Sequence, residues 1–289
     1  MDWYIGTEWK LEKKGLKKKV IDLKFTELEK PNKVSKVIIK VAKFGNLNDR
    51  PSLYLRADKI DNSQELTMGT AITPVDYYLE MLVQQMVLGE KAHCFMRTAS
   101  HKNDDNEDSD LNFIITLEEI ISFKEFHKLD VKEMYNLAVQ YKECGVKMFK
   151  EYPKFAHDYF SRAAKCLITY QPFEPLTADA DGVDGEEMKA LLIQIQTNLA
   201  ACLLMEERYE DVIYLTQFVE SVADPSEKSI YRRAVAFYNI KEFAKAQELI
   251  EKVPNYKEKK EFVKLQQNVK QSWTVSNNQY KDILKRMFK

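Results

Sequence analysis

Residues 68–96 read MGTAITPVDYYLEMLVQQMVLGEKAHCFM, and this stretch decides the architecture of the first half of the chain. Thr73 is placed to cap a helix, and Pro74 suits its first turn, where a missing N–H leaves no bond unmade. Val75, Leu79, Leu82, Val83 and Met86 then share a face, and Gly89 is expected to stop the helix. On either side the period changes to two. KVIIKVAKF (36–44) turns Val37, Ile39 and Val41 to one face, and SLYLRAD (52–58) does the same with Leu53, Leu55 and Ala57. In DLNFIITLEEI (110–120), Leu111, Phe113, Ile115 and Leu117 point inward. The pattern predicts a curved antiparallel sheet wrapped on one helix, an α+β domain over residues 1–124.

Beyond about residue 128 the period becomes 3.6 and helix pairs recur. MYNLAVQYKECGVKMFK (134–150) turns at Pro153 into KFAHDYFSRAAKCL. LLIQIQTNLAACLLMEE (191–207) leads into RYEDVIYLTQFVES, and SEKSIYRRAVAFYNI (226–240) into KEFAKAQELIEKV. Each pair spans roughly 34 residues, with small residues such as Ala156, Ala163 and Ala246 where helices approach closely; this is the tetratricopeptide (TPR) period. Three repeats, about 131–168, 188–221 and 227–254, need a terminal cap, which the predicted helix in 256–289 supplies. The polar stretch FEPLTADADGVDGEE (173–187) reads as the loop between the first two repeats.

Glycine numbers eight in 289 residues, and none follows Gly185, as a helical second half requires. The same scarcity excludes phosphate-cradling loops: no GxGxxG and no GxxxxGK[ST] occurs. With 44 basic and 45 acidic residues the net charge is −1, which argues against nucleic acid as a general partner. No uninterrupted apolar run approaches 18 residues and no secretory h-region opens the chain, so no membrane partner is expected. Cys94, Cys144, Cys166 and Cys202 form no CxxC pair and read as reduced thiols, implying a cytoplasmic or nuclear setting. The four histidines show no ligand spacing, so neither metal nor cofactor is expected.

Residues 68–96 followed by DLNFIITLEEI, with GLKKKVI and KPNKVSKVIIKVAKF upstream, resemble an FKBP-type peptidyl-prolyl isomerase domain. An FKBP-like domain joined to three TPRs resembles the large immunophilin co-chaperones. What that resemblance implies about catalysis is negative. Leu79 stands where the family has the tryptophan floor of its pocket, Val41 replaces a tyrosine, and RPSLYLRADKID has no Phe-Asp pair. The Tyr-Gly flap gives way to SHKNDDNEDSD, and of the aromatic set Phe113 survives. The expectation is a degenerate pocket without appreciable isomerase activity; a weak isomerase is the alternative. In the TPRs the resemblance implies a clamp for the acidic Glu-Glu-Val-Asp tail of heat-shock protein 90, formed by Lys142, Asn198, Lys228 and Arg232. Val146 occupies the position of a fifth residue, an asparagine in the family. Fixed cations clamp an anionic chain end by charge-assisted hydrogen bonds. Client proteins and a scaffold role for another partner complete the range of expected binding functions.

Smaller features have plain readings. NDDNEDSD (103–110) lacks the glycine and terminal glutamate of a calcium loop and reads as a solvated segment. KLEKKGLKKK (10–19) reads as an exposed strand edge. Arg233 reads as surface charge. YKDILKRMFK (280–289) aligns Tyr280, Ile283, Leu284, Met287 and Phe288 on one basic amphipathic face, a cap for the last repeat with calmodulin as a lesser alternative partner.

Overall fold

One-sided alternation in the first half and three-to-four spacing in the second produce two compact units, residues 1–156 and 157–289. The structure, a computed structural model, describes residues 4–24, 29–45, 47, 50–98, 109–122 and 124–287. Most of the acidic segment 103–110, the flap region and Phe288 lie outside the described residues.

In the first unit, β1 (Glu8–Leu11), β2 (Leu16–Leu23), β3 (Lys36–Phe44), β4 (Ser63–Thr67), β5 (Glu90–Thr98) and β6 (Ser109–Ser122) form one antiparallel sheet in the order β1-β2-β5-β6-β3-β4. Helix α1 (Pro74–Val83) crosses between β4 and β5. Thr73 caps it by accepting the Asp76 N–H, and Pro74 sits in the first turn. Val75, Leu79, Leu82 and Val83 meet the inward residues of β3, β5 and β6 in one core. The alternation of β3 and β6 is as expected, but three local expectations fail.

SLYLRAD is not a strand. The Asp76 carboxylate accepts the Ser52 hydroxyl and the Leu53 N–H, while Ser52 Oγ accepts the N–H groups of Tyr54 and Leu55. Amides held this way are withdrawn from any ladder, and Ala57–Lys59 instead makes a 3₁₀ turn. Leu55 still reaches the core. Helix α1 also ends six residues short of Gly89: Gln85 and Met86 donate to the carbonyls of Leu82 and Val83, tightening the chain into turns. Gly89, at φ +75°, leads into β5 instead. Finally, KLEKKGLKKK is not exposed throughout. It forms the β1–β2 hairpin, and the pleat sends Lys18 inward while Lys17 and Lys19 point outward.

Helix α2 (Val131–Phe149) opens with a capping box between Asp130 and Glu133. It belongs to the first compact unit, although its periodicity is that of the helical half. Its Tyr141 lies against Gly69, and Gln140 donates to the Gly69 carbonyl at 3.2 Å. Helix α3 (Pro153–Ile168) begins in this unit and ends in the next.

The second unit contains a short α4 (Ala178–Asp181) inside the stretch expected to be loop, then α5 (Gly185–Met205) and α6 (Tyr209–Leu215). A 3₁₀ turn at Gln217–Glu220 completes the second pair; α7 (Glu227–Asn239) and α8 (Phe243–Glu251) form the third. Helix α9 (Lys260–Met287) follows a 3₁₀ turn at Tyr256–Glu258. Its first half caps the stack by burying Phe262, Leu265 and Val269 against α7 and α8. Helix α5 is long and apolar enough, by length and composition, to cross a membrane, but it buries Leu191, Leu192, Ile195 and Leu203 as a core helix does.

All four cysteines are buried free thiols. Burial pushes the Cys144 thiol up to about 11 and the Cys202 thiol up to about 12, and raises Cys94 further still. The thiolate is the reactive form, so the native protein should resist iodoacetamide at about pH 8 and take up four equivalents once denatured. Rapid native labelling of any of the four would contradict the burial.

Candidate functional site

The three pocket positions converge from three elements. Leu79 projects from α1, Val41 from β3 and Phe113 from β6, where Phe113 is paired with Phe44 and Cys94 across the ladders. They are 0%, 1% and 1% exposed and belong to the same core cluster. A pocket that twists an X-Pro bond must present its walls to the substrate; these side chains are sealed in the hydrophobic interior. Tyr54, Tyr78, Phe44 and Leu47 pack around the cluster and remain partly accessible. Burial first, then the Glu80 and Asp76 carboxylates, push the Tyr54 phenol up to about 12.

Two carboxylates one turn apart on α1 shape the loops over this core. Asp76 holds residues 52–53, as above. Glu80 is buried and accepts the N–H groups of Gly69, Thr70 and Ala71 at 2.8, 3.1 and 2.8 Å. Neither was visible as a site in the sequence; the signal was two acidic residues at i, i+4 on the apolar face of an amphipathic helix. Desolvation raises Asp76 above the ordinary carboxylate range, against the hydrogen bonds from Ser52 and Leu53. Their hydrogen bonds organise the loops over the core.

The other missed pair is Lys18 with Glu90. Both side chains are buried, at 1% and 0% exposed, and they form an ion pair between β2 and the start of β5. Glu90 also accepts the Val87 N–H at 3.0 Å. Desolvation lowers Lys18 from the usual lysine range, and the adjacent carboxylate acts in the opposite direction.

Of the clamp residues, Lys142 lies half-buried on α2 in the first unit. Val146, one turn further on, is exposed. The other three lie in the second unit. Lys228 is exposed near the start of α7; Arg232, one turn later, is half-buried and donates to the Thr197 carbonyl of α5. That bond sets the guanidinium one residue from Asn198, also half-buried. Arg233 corrects the surface reading: it is buried, donates to the Ile213 carbonyl and Thr216 Oγ1, pairs with Glu220, and lies 5.1 Å from the Phe237 ring centre. It fastens α7 to the second helix of the preceding repeat.

Residues 9–122 match the family described as BDBT FKBP like N-terminal, and residues 130–214 match Bride of doubletime-like, TPR domain. The chain is 52% identical over 292 residues to Protein Bride of doubletime from Drosophila melanogaster, covering all of both chains. The chain belongs to the Bride of doubletime family. The crystal structure of residues 1–211 of CG17282 is 49% identical, with a TM-score of 0.65 over 72% of this chain and 98% of that one. Membership of the Bride of doubletime family accounts for the joined FKBP-like and TPR architecture, with a six-stranded antiparallel sheet followed by helical repeats.

Proposed function

We propose that the chain is an adaptor without appreciable isomerase activity, whose TPR domain binds the acidic C-terminal tail of heat-shock protein 90 in a cytoplasmic or nuclear setting. The observation that carries the binding half is the Arg232–Thr197 hydrogen bond, which fixes the guanidinium on α5 at the residue preceding Asn198, with Lys228 one turn from Arg232 on α7. An anionic chain end suits such a group of cations and amides. Val146 offers no amide where a fifth clamp residue would stand, so the fit is weaker by the worth of one hydrogen bond, about 0.5–1.5 kcal/mol. The sealed positions of Val41, Leu79 and Phe113 support the non-enzymatic half. The fly relative is named for doubletime, and a doubletime-type client is the second reading we carry.

A Met-Glu-Glu-Val-Asp peptide should bind saturably, and Lys228→Ala should weaken it about tenfold, the effect of losing one charge-assisted hydrogen bond. Lys228 is a cleaner probe than Arg232, whose removal also frees a carbonyl on α5. Saturable binding unaffected by Lys228→Ala, or none at all, would rule out the clamp and favour another client. On the FKBP-like side, a prolyl-tetrapeptide assay should show the uncatalysed rate; turnover comparable to an active FKBP would overturn that half of the reading.

A further inference from the structure

The face of the sheet turned away from α1 carries a feature that the TPR clamp does not use. At its centre, His93 and Phe95 of β5 lie ring against ring, with centroids 4.3 Å apart, beside Ile114 of β6. The pairing His93–Ile114 and Lys19–His93 fixes these residues on one surface. Basic residues surround that apolar centre. Lys17 and Lys19 flank it on β2, opposite Phe95 and His93. Lys43 lies opposite Ile114 on the β3 side, and Lys91 and Lys40 sit opposite Thr116 from its two neighbouring strands. Where the β1–β2 hairpin meets β5, a groove of about 370 Å³ continues the surface between Lys10, Lys17, Phe95 and Arg97, with Glu12 and Asp110 also in its lining.

The charge of this face is only partly neutralised in place. Lys10, Lys17 and Lys19 all approach the single carboxylate of Glu8, at 3.4, 3.3 and 3.8 Å. Lys40, Lys43 and Lys91 form no ion pair among the described residues. The remaining acids are fewer than the bases: Asp22 stands opposite Lys91 on β2, Glu12 lies in the groove, and Asp110 on Arg97, Glu65 on Lys36 and Glu118 beside Ser63 stand at the margins. In a chain of net charge −1 this is a local excess of positive charge.

We infer that this face is a docking surface for an acidic protein segment bearing an apolar anchor. An apolar centre with a charged rim is the anatomy of a protein interface, where complementary rim charge orients the partner. Single-stranded nucleic acid would need open ring faces for stacking. Here the two rings are turned on each other, and the Lys17 ammonium lies 5.8 Å from the Phe95 ring centre. A purely electrostatic membrane contact would need the lysines but not the apolar centre.

The test uses the full chain and a fluorescein-labelled peptide of Glu-Glu-Leu repeats with an amidated C-terminus, which offers the TPR clamp no terminal carboxylate. Saturable binding is expected, weakening several-fold between about 50 and 200 mM salt. The triple variant Lys19→Glu/Lys43→Glu/Lys91→Glu should weaken it by roughly tenfold or more, and Ile114→Ser should weaken it with the charges intact. Unchanged thermal melting will show that the variants fold. The inference fails if the peptide does not bind or ignores the charge reversal. It fails equally if an oligothymidine or phosphatidylserine vesicles bind as tightly, or if a Gln-Gln-Leu peptide does. Because Lys228→Ala should leave this binding intact, failure here is distinguishable from failure of the clamp.

Discussion

Lys18→Met alone is expected to lower the free energy of unfolding by about 3–5 kcal/mol, the scale on which removing one member of a buried ion pair acts. Lys18 and Glu90 are both withdrawn from solvent, so deleting the ammonium leaves a carboxylate in the sheet interior without its cation, while the Val87 N–H still donates to it. The pair itself need not be strongly stabilising. Desolvation of two charges offsets most of their attraction, and the lowered pKa of Lys18, dominated by burial, reflects that cost. The single and double variants should therefore diverge. In Lys18→Met/Glu90→Gln no charge is buried, and the glutamine carbonyl can still accept the Val87 N–H. At least half of the lost stability should return. Chemical denaturation of the four proteins completes the cycle. A loss under about 1 kcal/mol in Lys18→Met, or a double variant no better than the single, would show that the pair is not buried as described.

That pair also marks the boundary of what the sequence reveals. β3 and β6 were legible because Val37, Ile39 and Val41 of the one and Leu111, Phe113, Ile115 and Leu117 of the other alternate apolar residues onto one face. β1 and β4 were not, because EWKL and SQELT are short and largely polar, and they become strands only when a neighbouring ladder accepts their amides. SLYLRAD has the same alternation as a true strand. What distinguishes it is Asp76, more than twenty residues away, whose carboxylate takes the loop's donors. Lys18 looked like one more lysine in a basic run because its partner stands 72 residues downstream. Arg232 and Arg233 are adjacent in sequence and differ in role for the same reason. The helical face is set by periodicity, but which arginine finds a carbonyl on α5 and which is buried against Ile213 depends on packing. The family resemblance assigns the pocket to Val41, Leu79 and Phe113, and it is packing that buries these three side chains in the core.

Gly69→Ala carries the second large effect, about 2–5 kcal/mol, and its two sources can be separated. Gly69 adopts φ +78°, which an alanine occupies only with strain of order 1 kcal/mol or more. Its new Cβ would also stand 2.5 Å from Tyr141 Cε1, inside any real contact distance. The loop cannot retreat, because Glu80 holds the N–H groups of residues 69–71 from within the domain. Tyr141 is buried and its hydroxyl donates to the Lys33 carbonyl at 3.4 Å, so the ring has little room to swing. The displacement must fall on α2, which is also fastened to this loop through Gln140 and, at 3.7 Å, the Cys144 thiol on the Gly69 carbonyl. Hydrogen exchange should report it: amides of Leu137–Cys144 lose protection in Gly69→Ala, while those of β3 and β6 slow or speed only with global stability. In a Tyr141→Leu background the clash is gone and the same substitution should cost only its backbone strain, about 1 kcal/mol. Equal costs in both backgrounds would mean that α2 does not rest on Gly69. Unequal costs would make that glycine the joint through which the first helix of the repeat region is carried by the FKBP-like sheet domain.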